Sequence, residues 1–388
     1  MATLVLSTVG TLVGGPLGGA LGALVGRTID QTVLFRPKDR EGQRLTDLAV
    51  QSSQYGSAIA NVHGRVRIAG TVIWATDLKE RRIREGGGKG RPGTTRYSYS
   101  VSFAVALSSR PIIGIGRIWA EGNLLRGQDG VFTSETGFRL HLGHGDQPRD
   151  PLIAAAEGVD QCPAYRGIAY AVFEDMALEE FGNRIPSLTF EVLGDEGDVA
   201  LGPLVAGISS AENAPEGSFS VTGWSLVADS RRAALQAIAT GFPLALREVA
   251  GNIEPVWRET QEPTSFTLLQ TTLLPRSADS PRLFDHQRFA TAAEALVLRY
   301  YEPERDYQPG LRRSGIGSSG RSRQIDIPAV MRADHAQERV ERLAAQARDG
   351  QERIELRVAM FDPAMLPGRM VQIDGVAGLW RVSRWHWG

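Results

Sequence analysis

The sequence predicts a mainly β protein with a few helices (α+β), and three observations carry that expectation. Short runs rich in apolar residues, several alternating with period two, recur along the chain. Corners containing Gly, Asn and Pro separate them. Only a few stretches have helical spacing, the clearest being residues 333–348 with Ala336, Val340, Leu343, Ala344 and Ala347 on one face. A length of 388 residues suggests two to three domains.

Residues 1–35 form an apolar, Gly-rich N-terminal segment. No charge occurs from Ala2 to Gly26, and Gly10, Gly14, Gly18, Gly22 and Gly26 recur at every fourth position. On a helix these glycines form one stripe, along which another backbone can approach closely. The run is long enough to cross a bilayer core of roughly 30 Å. Against a free helix in water, each interior Gly costs about 0.8–1 kcal/mol relative to Ala, and Pro16 interrupts the ladder. The segment therefore calls for a partner surface or lipid. Three readings stand: packing on copies of itself or a neighbour, disorder until release, or entry into a membrane. No Lys or Arg precedes the apolar run, so a secretory signal is not expected.

After a polar connector, residues 45–195 read as a first β-rich domain. Residues 163–192 are its most telling stretch. A nearly continuous apolar run from Tyr165 to Phe173 leads into Phe181-Gly182-Asn183-Arg184-Ile185-Pro186, where Gly and Asn tolerate positive φ. From Ser187 the pattern alternates, with Leu188, Phe190 and Val192 on one face and Thr189 and Glu191 on the other. The unit is a strand, a corner and a strand. Asp150-Pro151 announces a short helix, Asp150 as N-cap and Pro151 at its first position.

A Gly- and Pro-containing stretch, 194–217, closes this domain. Residues 215–325 follow as a second region of strands (218–226, 244–249, 254–258, 296–301) with one helix, 230–239, capped by Ser230. Residues 326–388 give the amphipathic helix and a barrel-like set of strands at 353–360, 370–373 and 380–385. The chain stops directly behind a strand, so either this protein is short or the natural polypeptide continues.

Lys plus Arg (43) nearly balances Asp plus Glu (44), for a formal charge of −1, so no global basic field recruits DNA or an anionic membrane. Basic residues do concentrate locally. Arg81, Arg82, Arg84, Lys89, Arg91 and Arg96 surround a Gly-rich run, and Arg312 and Arg313 open the run GLRRSGIGSSGRSR. Both read as flexible loops, 81–96 and 312–323, suited to docking a partner. The first is no phosphate-binding P-loop, because Gly90 follows Lys89 where Ser or Thr is required. The single Cys162 excludes an intrachain disulfide and reads as a small buried residue. His141, His144 and Asp146 lack a third-ligand motif. Glu174, Asp175, Glu179 and Glu180 read as a solvated corner rather than a glycosidase pair. Ser318 and Ser319 lack the nucleophile elbow. No catalytic residue, metal or cofactor is expected.

Residues 163–192, reading PAYRGIAYAVFEDMALEEFGNRIPSLTFEV, resemble the tail hub or tail tip proteins of bacteriophages and of the gene transfer agents of alphaproteobacteria, including the lambda-like baseplate hub family. Residues 55–76, 97–107 and 116–122 resemble that family's early strands, and residues 300–310 its later domain. The resemblance implies a multidomain hub with tube-like β-barrel domains, forming a homotrimer at the distal tail end around the DNA exit channel. It implies as neighbours the distal tail protein, the tail tube, the tape measure protein and other hub proteins, among them an iron–sulfur hub protein and a cell-wall peptidase. DNA would pass without specific binding, and residues 2–26 would be the point of any host membrane contact. Longer members carry a sugar-hydrolase-like TIM barrel, but only about ninety residues separate Gly194 from Asp285, against the roughly 250 such a barrel needs. The alternatives are a tail-tip cell-wall hydrolase and a membrane-penetration protein acting through residues 2–26.

Overall fold

The structure is a computed structural model that describes residues 40–41, 58–85, 94–215, 219–249, 252–257, 266–268, 273–275, 284–288, 295–315, 322–349, 352–359, 370–384 and 386. The expectations for residues 2–26, Lys89, Arg91, Ser318 and Ser319 lie outside the described residues. Among the described residues the chain is mainly β with four short-to-medium α-helices, as its patterning predicts.

The first lobe contains β1 (Arg40–Glu41), β2 (Asn61–Ala69), β3 (Thr71–Ala75), β4 (Lys79–Glu85), β5 (Thr94–Ser108), β6 (Gly114–Ala120), β7 (Asn123–Arg126), β8 (Gly137–His141), α1 (Pro151–Glu157), β9 (Ala169–Ala177) and β10 (Leu188–Leu193). The 15-residue β5 organises one sheet, pairing with β9 and β1 and with β3 and β4. β2, β10, β6 and β7 belong to a second sheet. Between them lies a core that includes Val66, Val101, Phe103, Ile118, Phe173, Phe190 and Val192. Phe103 stacks on Phe173 at 4.9 Å between ring centroids. Burying each such side chain stabilises the fold by about 1.5–3 kcal/mol.

The alternation read in residues 188–192 places Leu188, Phe190 and Val192 in this core. The corner before them is built as its residues suggest. A single 3-10 turn, Glu179–Phe181, ends at Gly182 and Asn183, whose φ values are +65° and +60°. β9 and β10 lie in different sheets, so this corner carries the chain from one layer to the other. α1 begins at Asp150, whose carboxylate accepts from the backbone N–H groups of Leu152 and Ile153.

The second lobe contains β11 (Val199–Ala200), α2 (Leu201–Ser209), β12 (Ser220–Val221), β13 (Gly223–Leu226), α3 (Arg231–Gly241), β14 (Leu244–Val249) and β15 (Asn252–Trp257). Three short strands, β16 (Phe266–Leu268), β17 (Leu273–Leu274) and β18 (Phe284–Arg288), precede β19 (Ala295–Glu302), β20 (Gln308–Arg313), β21 (Ser322–Val330) and α4 (Ala333–Asp349). The last strands are β22 (Glu352–Val358), β23 (Met370–Ile373) and β24 (Leu379–Arg381). Trp224, Ile238, Phe242, Trp257, Leu298, Tyr300, Ala336 and Val340 share the second core. β16–β18 and β22–β24 enclose a separate small core around Leu268, Leu273, Val371 and Ile373. α2 was not legible, because Gly202, Pro203 and Gly207 mark its sequence as a connector. Pro203 sits in the first turn, where N–H groups have no intrahelical partner anyway.

One eight-stranded sheet, ordered β20-β19-β21-β13-β2-β10-β6-β7, runs through both lobes, so strand pairing crosses the boundary expected near residue 195. The crossing is tight. Gly223 pairs with Gly64, whose φ is +62°, and a Cβ on Gly223 would lie 2.2 Å from the Arg65 carbonyl oxygen. The expected β-barrels are corrected in one respect: among the described residues no sheet closes on itself, and of the large sheet's end strands β20 has no further strand partner while residues 131–133 run along β7, the Thr133 N–H donating to the Leu125 carbonyl at 2.9 Å.

Candidate interface site

The first predicted docking loop is, over its described part, a β-ribbon rather than a loop. β4 pairs with β5 from Lys79↔Ser100 to Glu85↔Thr94, so Arg81, Arg82 and Arg84 are strand residues. Period-two geometry puts Lys79, Arg81 and Arg96 on one face, opposite the buried Tyr97 and Tyr99. Acidic side chains already meet part of that basic face: Lys79 Nζ is 2.5 Å from Asp175, and Arg96 pairs with Glu179. Arg81 and Arg82 are exposed, and β4 pairs with β5 alone among the described strands. A row of exposed cations along a free edge also discourages indiscriminate strand pairing.

Arg312 and Arg313 are likewise strand residues, at the end of β20. Arg312 Nε donates to the Ala333 carbonyl at 3.2 Å, so this guanidinium fixes the start of α4. Arg313 is exposed at the free edge of the large sheet, together with Leu311. Both corrections have one cause. Runs of Arg and Gly look like loops by composition, whereas cross-strand pairing decides where the strands end.

The arrangement that sequence reading missed lies where the lobes meet. Glu191, placed by alternation on a polar face, is only 2% exposed. Arg117 donates to it from Nε at 3.0 Å and from its backbone N–H at 3.1 Å, and the Tyr307 hydroxyl donates at 2.7 Å. Burial alone would raise the Glu191 carboxyl, but the Arg117 and Tyr307 hydrogen bonds outweigh it and hold the group below its ordinary range. Arg117 also pairs with Asp306, and Arg67 donates to the Asp306 carbonyl at 3.1 Å. The guanidinium carbons of Arg67 and Arg117 lie 3.9 and 4.9 Å from the Trp119 ring centroid. Asp306 and Tyr307 are consecutive left-handed residues, with φ +52° and +60°. For non-Gly residues this conformation costs on the order of 1 kcal/mol or more each.

Two further polar centres are structural. Arg110 forms a fork with Asp195 at 2.7 and 2.7 Å and also donates to the Val62 carbonyl at 3.0 Å. His63 Nδ1 lies 3.0 Å from Arg110, so it accepts and the ring is neutral. Burial, aided by the Arg110 cation and opposed by Asp195, lowers the His63 pKa to about 4. Elsewhere in the first lobe, Asp150 receives Arg139 Nε at 2.9 Å and lies 3.0 Å from His141 Nε2. Burial alone would raise Asp150, and hydrogen bonds from Arg139, His141 and the Ile153 N–H reverse that and bring it to about 2.

These contacts occupy four of the residues weighed for chemistry, His141, Glu174, Asp175 and Glu179. His141 turns to Asp150 and stacks on Tyr170 at 4.3 Å. Glu174 pairs with Arg139 at 2.6 Å, and Asp175 and Glu179 are in the ion pairs above. Among the described residues, no group of three His, Cys, Asp or Glu is placed to hold a metal ion. Cys162 is buried, as read.

Residues 230–385 match the family model described as "Putative phage tail protein". A chain in the solved structure of the "Virion of native gene transfer agent (GTA) particle" is similar at 26% identity and a TM-score of 0.68. That match covers 96% of this chain and 93% of the other. No curated protein matches the chain. Together the family model and the virion structure support a tail protein of the phage and gene-transfer-agent kind, a structural component of a virion particle.

Proposed function

We propose that the chain is a hub or tail-tip protein at the distal end of the tail, joining the tail tube to the tip around the DNA exit channel. The observation that carries this reading is the extent of the match, 96% of this chain and 93% of a virion chain, so the likeness spans the protein rather than one module. The edge of the large sheet at β20, which has no further strand partner among the described residues, favours a ring. An open sheet edge satisfies its backbone groups when a neighbouring copy covers it. The reading takes a homotrimer as the assembled state, with the distal tail protein, tail tube, tape measure protein and other hub proteins as neighbours. The exposed Arg81 and Arg82 on β4 and Arg313 on β20 serve as docking cations, and the glycine stripe of residues 2–26 packs in the particle or meets a membrane. The near-neutral charge suits a ring that lets DNA pass without holding it.

Gold-tagged antibody against residues 163–192, applied to particles after mild tail disruption, tests the placement by electron microscopy. Gold confined to the distal tail end is expected. Label along the whole tail, or protein found only free in the lysate, overturns the tip assignment.

A further inference from the structure

Beside apolar contacts such as Val330 in the first lobe's core, two ties hold the lobes together. One tie is the strand junction, where β13 pairs with β2 through Gly223↔Gly64, Trp224↔His63, Ser225↔Val62 and Leu226↔Asn61. The other consists of side chains. The turn between β19 and β20 inserts Tyr307 into the first lobe's core, where its hydroxyl meets Glu191, and sets Asp306 against Arg67 and Arg117. Tyr307 is the residue on which these observations converge. It belongs by chain to the second lobe and by packing to the first, and it supplies a hydrogen bond to a carboxylate with almost no access to water.

We propose that residues 302–307 form a releasable clasp between the lobes, which opens as a unit about the β2–β13 junction. Two features distinguish a clasp from ordinary packing. The closed turn holds two successive non-Gly residues at positive φ, a conformation that relaxes once the side chains let go. The ties converge on Glu191, Arg117 and Arg67 rather than on a run of strand pairing, so they form and break together. Opening exposes the β2–β10–β6 face carrying Trp119 and frees the β19–β20 hairpin, while the sheet around β5 and β9 stays intact. The clasp stands whether or not the protein sits at the tail tip.

Native-state hydrogen exchange on the full chain tests it, comparing wild type with Tyr307→Phe. Loss of a hydrogen bond to a charged group should raise the open population about ten- to a hundredfold. Faster exchange by that factor is expected in residues 299–313 together with 115–119 and 189–193, with 100–108 and 169–177 unchanged. Glu191→Gln, which keeps the shape and removes the charge, should accelerate the same segments. It also serves should the Phe variant not fold. Unchanged exchange in 299–313, or acceleration spread equally over 100–108 and 169–177, overturns the clasp.

Discussion

Protonation of His63 should weaken the junction between the lobes, and the size of the effect follows from its surroundings. The imidazole is largely buried, and its Nδ1 faces the Arg110 guanidinium, so a second cation beside it is disfavoured. With a folded-state pKa of about 4 against 6.5 when exposed, the unfolded chain takes the proton first as pH falls. The His63 contribution is therefore complete above pH 6.5 and is lost as pH falls from 6.5 toward 4. The loss is about 2 kcal/mol at pH 5, approaching about 3 kcal/mol below pH 4. Urea unfolding at pH 8, 7, 6 and 5, followed by tryptophan fluorescence, should show wild type losing that much more stability than His63→Gln. The glutamine amide oxygen can still accept from Arg110 but does not titrate, and every other group cancels in the difference. Parallel pH profiles for the two proteins, or a directly titrated His63 pKa at or above 6.5, would show that the folded protein takes up this proton at no cost.

At the strand crossing, Gly223→Ala forces a Cβ toward the Arg65 carbonyl and should cost roughly 1–3 kcal/mol in urea midpoint, whereas Gly114→Ala, with open space around it, should stay within about 1 kcal/mol. Asp150→Asn removes the charge that Arg139 and His141 share and should cost about 2–3 kcal/mol at neutral pH by the same assay. Because the Asp150 pKa is depressed, that stabilisation is present above the ordinary carboxylate range and fades only as pH falls toward about 2, so wild type and variant should converge only in strong acid. Arg81→Glu with Arg82→Glu, both exposed on β4, should leave stability within about 0.5 kcal/mol and lower the yield of tailed particles; wild-type yield would remove β4 from the docking surface.

What could be read from the chain was the information held in neighbouring residues. The Leu188, Phe190 and Val192 alternation, the Gly182-Asn183 corner, and the Asp150 and Ser230 caps each depend on residues a few positions apart, and each has the structure its chemistry dictates. Composition misled where it stood in for pairing. Arg81, Arg82 and Arg84, and Arg312 with Arg313, sit in strands because β5 and β19 supply the partners, and no local signal announces a partner. α2 failed for the opposite reason, since Gly and Pro are disfavoured within helices in general but tolerated when the helix is short and Leu201, Leu204 and Val205 are buried.

The junction was illegible in a deeper sense. Glu191 follows the alternation rule, lying on the face opposite Phe190, and the rule assigns that face to water. The assignment fails because Tyr307, 116 positions later, covers the same face and brings the one hydroxyl the carboxylate needs. A buried carboxylate without such partners would be expelled or protonated, so Glu191, Arg117 and Tyr307 make sense only together. Gly116 is the one local trace, since a Cβ there would lie 2.4 Å from a Glu191 carboxylate oxygen. It follows that the polar residue which breaks no local rule is the one whose burial reports how the two lobes are held. Substituting Glu191 should therefore disturb the relation between lobes more than the strand in which it sits.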